Sequence, residues 1–165
     1  MKTSEFGKRK REILSPVLLE AGAAMMDCQS FEYQIALLLY HFSRLGVKGL
    51  DPTKVVLILD GQDKRTAGQL IATLKEHVNV SDSIEQALRQ ALAARNHLMH
   101  RVLVDNVERL MDEEGRTSLV KEIRLLRSKV QSAAKKLQPF ISGFIEALDG
   151  IDEKKFEAEV REKLS

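Results

Sequence analysis

Cysteine occurs once, at Cys28, which excludes an internal disulfide framework and a cysteine-rich zinc site and fits a reducing cytosol. Tryptophan is absent and aromatic residues make up 5% of the chain, while Leu and Ala are abundant, a balance that favours helix over sheet. Three prolines and nine glycines punctuate 165 residues, so long uninterrupted elements are expected. No apolar run approaches the roughly 20 residues that a bilayer-spanning helix requires. The basic start, Lys8-Arg9-Lys10-Arg11, is not followed by a signal-peptide core, because Glu12 and Glu20 interrupt it. A cytoplasmic protein without a membrane partner is expected. The net charge of +2 neither declares nor opposes a nucleic-acid binder.

What is present reads as helix. A hydrophobic content of 44% suits one globular domain with its own core. Residues 1–14 read as a basic flexible tail, either solvated or lending affinity for RNA. Residues 15–150 read as the helical bundle, and residues 151–165 as a C-terminal charged helix. Ser15-Pro16 has the form of a helix start. The helix it opens runs to Leu45 with a candidate break at Cys28-Gln29-Ser30, and Gly46 stops it. Asp51-Pro52 starts a short helix to about Leu59. Its apolar run, Val55 to Leu59, also fits a buried strand, but no partner strand is visible. Thr66 to Lys75 is a further helix. Asp82-Ser83-Ile84-Glu85 has the capping-box pattern and opens a helix expected to reach Glu113 and to end at Gly115. Ser118 then caps the longest helix. Its apolar residues, from Leu119, Ile123, Leu126 and Val130 to Ala133, Leu137, Phe140, Phe144 and Ala147, alternate steps of four and three. Such a seam packs against other helices of the chain or against a second copy. Pro139 is expected to kink this helix without ending it. The predicted fold is all-α, an up-and-down bundle of four to five helices with a long, kinked C-terminal helix.

One segment carries chemistry. On a wheel of about 100° per residue with Leu88 at zero, Ile84, Leu92, Met99, Val102 and Leu103 fall within about 60° of it. Arg95 falls at about −20°, inside this apolar stripe. A guanidinium there must be paired, must snorkel, or must open into a cleft or interface. Asn96 and His100 are i,i+4 neighbours on one flank. His97 lies on the opposite side from Arg95 and reads as surface. A histidine can exchange a proton with a ribose hydroxyl, and an arginine can stabilise a phosphorane, so this notch suits phosphodiester chemistry on RNA. An arginine salt-bridged to a neighbouring helix is the plainer alternative.

Arg95-Asn96-His97-Leu98-Met99-His100 resembles the Arg-polar-x-x-x-His signature of HEPN domains, named for higher eukaryotes and prokaryotes nucleotide-binding. Thr66-Ala67-Gly68-Gln69-Leu70-Ile71 is similar to a Leu-Gly-x-Leu-Ile stretch upstream in some bacterial members. Glu32 in the first long helix is a further likeness, and the resemblance covers about residues 16–148. It implies a helical bundle that forms a homodimer, with Arg and His motifs of two protomers meeting at a composite cleft. It further implies a metal-independent endoribonuclease of toxin–antitoxin, phage-defence or CRISPR systems, acting on RNA and held by an antitoxin or regulatory protein. The candidate catalytic residues are then Arg95 on the phosphate, Asn96 in positioning and His100 as acid or base.

No cofactor or metal is expected. His97 and His100 at i,i+3 lack a carboxylate cluster beside them. Asp60-Gly61-Gln62-Asp63 lacks the ligand spacing of a calcium loop. The other function class is a non-catalytic helical dimerisation or protein-binding module, in which the same notch is a structural polar pair.

Overall fold

The computed structural model describes residues 5–63 and 65–150, together with Ala158 and Glu162. It is an all-α helical bundle of five α-helices: α1 (Glu5–Arg44), α2 (Pro52–Leu59), α3 (Ala67–His77), α4 (Asp82–His100) and the long α5 (Glu113–Asp149). A 3₁₀ turn, Val107–Leu110, lies between the last two, and no strand occurs among the described residues. The charged helix expected after residue 151 lies outside the described residues except for Ala158 and Glu162, which are helical.

The first helix differs from expectation. Residues 5–14, expected as a flexible tail, are helical, and Pro16 lies inside α1 rather than at its first turn. The helix also runs unbroken through Cys28-Gln29-Ser30. Its buried residues explain why. Val17, Ala24, Cys28, Phe31, Ile35 and Leu38 are all buried and recur at helical spacing. Cys28 serves as a small hydrophobe that keeps this stripe continuous. Gly46, at φ 76°, ends the helix in a left-handed conformation that glycine adopts without strain.

Two short helices are started by side chains. Asp51 accepts from the Thr53 N–H at 2.9 Å, and Pro52 follows at the first position of α2. A capping box forms at α3, where the Thr66 N–H donates to Gln69 Oε1 at 2.8 Å and the Gln69 N–H to Thr66 Oγ1 at 3.3 Å. The box expected at Asp82 is replaced by Ser81, whose hydroxyl accepts from the Ile84 N–H at 3.4 Å.

The end of α4 and the start of α5 also differ. The fourth helix stops at His100 instead of reaching Glu113, and α5 starts at Glu113 instead of Ser118. Asp112 Oδ1 accepts the Gly115 N–H at 2.6 Å, a cap that lets the helix begin early. Gly115 is therefore in the first turn of α5 and stops nothing. A Cβ there would stand 2.4 Å from the Arg109 carbonyl oxygen, so only glycine admits this close approach. The fifth helix carries Pro139 in its interior and continues past it to Asp149.

By their contacts the residues form two compact units. The first takes the chain up to Phe31 with Glu85–Ala133, and the second takes Glu32–Ile84 with the chain from Ala134. The first unit packs Val17 and Ala24 of α1 with Val102 and with Leu119 and Ile123 of α5. Ion pairs accompany this core. Glu20 pairs with Arg124 at 2.9 Å and with Arg127, and Arg127 also reaches Asp27 at 2.7 Å. Burial pushes the Glu20 carboxyl up, but the two guanidiniums together hold it below the usual carboxylate range.

The second unit buries Ile35, Leu39, Val55, Leu74, Leu137 and Ile141. It also buries His41, which is 2% exposed and stacks on Phe144 with ring centroids 5.7 Å apart. Neither ring nitrogen has a hydrogen-bond partner among the described residues. Burial pushes the His41 imidazole below its ordinary range; Asp149 opposes this and Arg44 adds to it. The unfolded chain then binds a proton more readily than the folded one. Stability is expected to be full above about pH 6.5 and to fall as pH drops from there toward the lowered folded value. Urea unfolding between pH 5 and 8, roughly the histidine range, reads this, and His41→Phe should flatten the slope. An unchanged slope in His41→Phe would assign it elsewhere.

Candidate functional site

The expected stripe on α4 is rotated in the folded chain. The buried residues of α4 are Leu88, Ala91 and Ala94, while Leu92 and Met99 are only half-buried. Leu88, Ala91 and Ala94 form the packed face, and a small side chain at the two alanine positions suits close helix packing. Arg95 therefore sits at the edge of the packed face, not in its middle, and is half-buried. Its guanidinium can keep water on one side while its stem covers apolar surface.

The structure brings the three candidate residues together. Arg95 Nη1 stands 3.2 Å from Asn96 Oδ1 and 3.2 Å from His100 Nε2. A guanidinium only donates, so His100 Nε2 accepts as the unprotonated nitrogen of a neutral imidazole. That is the form able to take a proton. Asn96 and His100 are exposed, so the cluster is open to solvent. A groove of about 410 Å³ adjoins His100, lined on the α1 side by Leu18, Ala21, Gly22 and Met25 and on the other by Met99 and Val104. Leu18 is 54% exposed and Val104 72%.

His97 is half-buried, not a free surface residue. Its Nε2 stands 3.4 Å from Glu122 Oε1 on α5, and Arg109 pairs with the other oxygen of that carboxylate. Arg109 Nη1 also donates to Asn106 Oδ1 at 2.7 Å, and its Nη2 to Ser118 Oγ at 2.9 Å. The Arg109 guanidinium holds the Glu122 carboxyl below its ordinary range against burial that pushes it up, and His97 adds to the lowering. Sequence reasoning missed this cluster. Glu122 is distant in sequence from both partners, and no local spacing announces it.

Among the described residues, no group of three or more His, Cys, Asp or Glu side chains is placed to hold a metal ion. None of the described helices is long and apolar enough to cross a membrane. No family model, curated protein or solved structure matches the chain.

Proposed function

We propose that the chain is a metal-independent endoribonuclease of HEPN type, a cytoplasmic toxin or defence effector with a composite site at a homodimer interface. The observation that supports this is the convergence of Arg95, Asn96 and His100 at 3.2 Å on an exposed helix end. His100 takes the proton of the ribose 2′-hydroxyl, and the 2′-oxygen attacks the adjacent phosphorus. The bond from phosphorus to the 5′-oxygen breaks, leaving a 2′,3′-cyclic phosphate. The departing oxygen receives a proton from His100 of the partner subunit, which enters the step as imidazolium, so the two protomers start in opposite protonation states. Arg95 turns from Asn96 and His100 to the phosphate, whose negative charge grows in the transition state. Asn96 orients the group that Arg95 releases.

The test is sedimentation together with cleavage of a single-stranded RNA by the purified chain. A dimer near twice 18.6 kDa and cleavage that survives EDTA are expected. A monomer would remove the composite site, and cleavage lost to EDTA and restored by a divalent ion would overturn the acid–base assignment.

The exposed apolar residues beside His100, Leu18 and Val104 among them, favour a second reading, a non-catalytic module for dimerisation or protein binding. A chain that dimerises and cleaves no RNA would establish it.

A further inference from the structure

His97 does two things at once. Its side chain faces Glu122, and its backbone carbonyl closes the end of α4, accepting from the N–H groups of Arg101 and Val102, each at 2.9 Å. His100 lies on the short segment that this carbonyl closes. The circuit continues beyond it. The Val102 carbonyl accepts from Asn106 Nδ2 at 2.8 Å, Asn106 Oδ1 accepts from Arg109 at 2.7 Å, and Arg109 returns to Glu122. The chain from His97 to Arg109 is thus clasped into a ring by one carboxylate on α5. Gly115 tightens it, since its bare Cα lets the Arg109 backbone approach.

We infer that Glu122 is a positioning residue, which acts through His97 and Arg109 to fix the last turn of α4 and with it the place of the His100 imidazole against Arg95. The inference rests on the ribonuclease reading for its consequence in catalysis, but the geometry it asserts has its own readout. A proton-transfer group must lie within hydrogen-bond reach of its target, and a misplacement of about 1 Å can cost on the order of 10²-fold in rate. Glu122 touches no reacting atom in this scheme, so its loss lowers turnover and leaves RNA binding alone.

The experiment uses the full chain. Glu122→Ala and His97→Leu are each expected to lower kcat about 10- to 100-fold with KM within about twofold of the parent. Added to His100→Ala, either should cost nothing further, since the group it positions is gone. His97→Gln, which keeps a donor toward Glu122, should retain most of the activity. In ¹⁵N-histidine-labelled protein the ring signals of His100 should move in Glu122→Ala and His97→Leu and stay in His97→Gln. If Glu122→Ala does not fold, His97→Leu carries the same test with the Arg109–Glu122 pair intact. Should the parent cleave no RNA, the ribonuclease reading fails, and the His100 signals alone decide the positioning. Unmoved His100 signals in both variants, or a parent-like kcat in an active enzyme, would overturn it.

Discussion

His100→Ala is expected to reduce RNA cleavage on the order of 10²- to 10⁴-fold, the range over which a positioned general acid or base contributes. The imidazole is the only side chain of the cluster whose chemistry lets it both take up and give back a proton; asparagine carries no titratable proton. Arg95→Ala should cost on the order of 10²-fold or more for a different reason. It removes the fixed positive charge that grows in value as the phosphorane forms. It also releases the hydrogen bond that holds His100 Nε2 at 3.2 Å. Asn96→Ala should cost less than either, because Asn96 is exposed and only shares the guanidinium. The products should carry a 2′,3′-cyclic phosphate, and a DNA strand of the same sequence should remain intact, since it lacks the attacking hydroxyl. Circular dichroism on each variant separates chemistry from folding. Parent-like cleavage by His100→Ala, or no cleavage by the purified parent, would sink the assignment and leave the cluster as a structural notch.

The candidate site was legible where spacing is local. Arg95, Asn96 and His100 stand on one helix, so the wheel places Asn96 and His100 on a common flank without tertiary information. The structure then brings both within 3.2 Å of the guanidinium. The orientation of the helix was less legible. Its bulky residues Leu92 and Met99 mark an apolar stripe, yet beside Leu88 the packed face is completed by Ala91 and Ala94. Hydrophobicity ranks leucine above alanine, whereas close helix packing selects for small size, and here size prevails. The surroundings of His97 were hidden for a different reason. Its distance from Arg95 on the wheel is real, but what it faces is set by Glu122, which comes from another helix.

The helix ends show a similar division. Gly46 and Pro52 mark boundaries because their backbone chemistry acts within one or two residues. Gly115 misleads because the same residue type serves a tertiary purpose, an approach of the Arg109 backbone that the sequence does not announce. Asp112 carries a better signal, a carboxylate three residues before an amide that needs an acceptor. Pro16 misleads in the opposite sense. It is tolerated inside α1 because the stripe from Val17 to Leu38 is buried along its length, a gain that outweighs one lost hydrogen bond.

The long seam of α5 yields the second large effect. Leu119, Ile123, Val130, Ala133 and Leu137 are buried within the chain, whereas Phe140 is 47% exposed and Ile141, one position on, is buried instead. Intramolecular packing thus accounts for the seam as far as Leu137. Ile123 is fully buried against Val17, Ala24, Val102 and Leu119. Ile123→Ala should therefore destabilise the chain by about 2–5 kcal/mol, the sum of lost transfer energy and the cavity left behind. Ile123→Val should cost only about 0.5–1.5 kcal/mol, because one methylene leaves a smaller void. Leu125 gives the control, two positions along the same helix but 61% exposed. Leu125→Ala should stay within about 0.5 kcal/mol of the parent, as exposed substitutions do. Urea unfolding followed by circular dichroism, at two protein concentrations, reads all three. Equal losses in Ile123→Ala and Leu125→Ala, with a midpoint that rises with concentration, would show that Leu125 is covered by a second copy in solution. The seam would then serve association as well as the core.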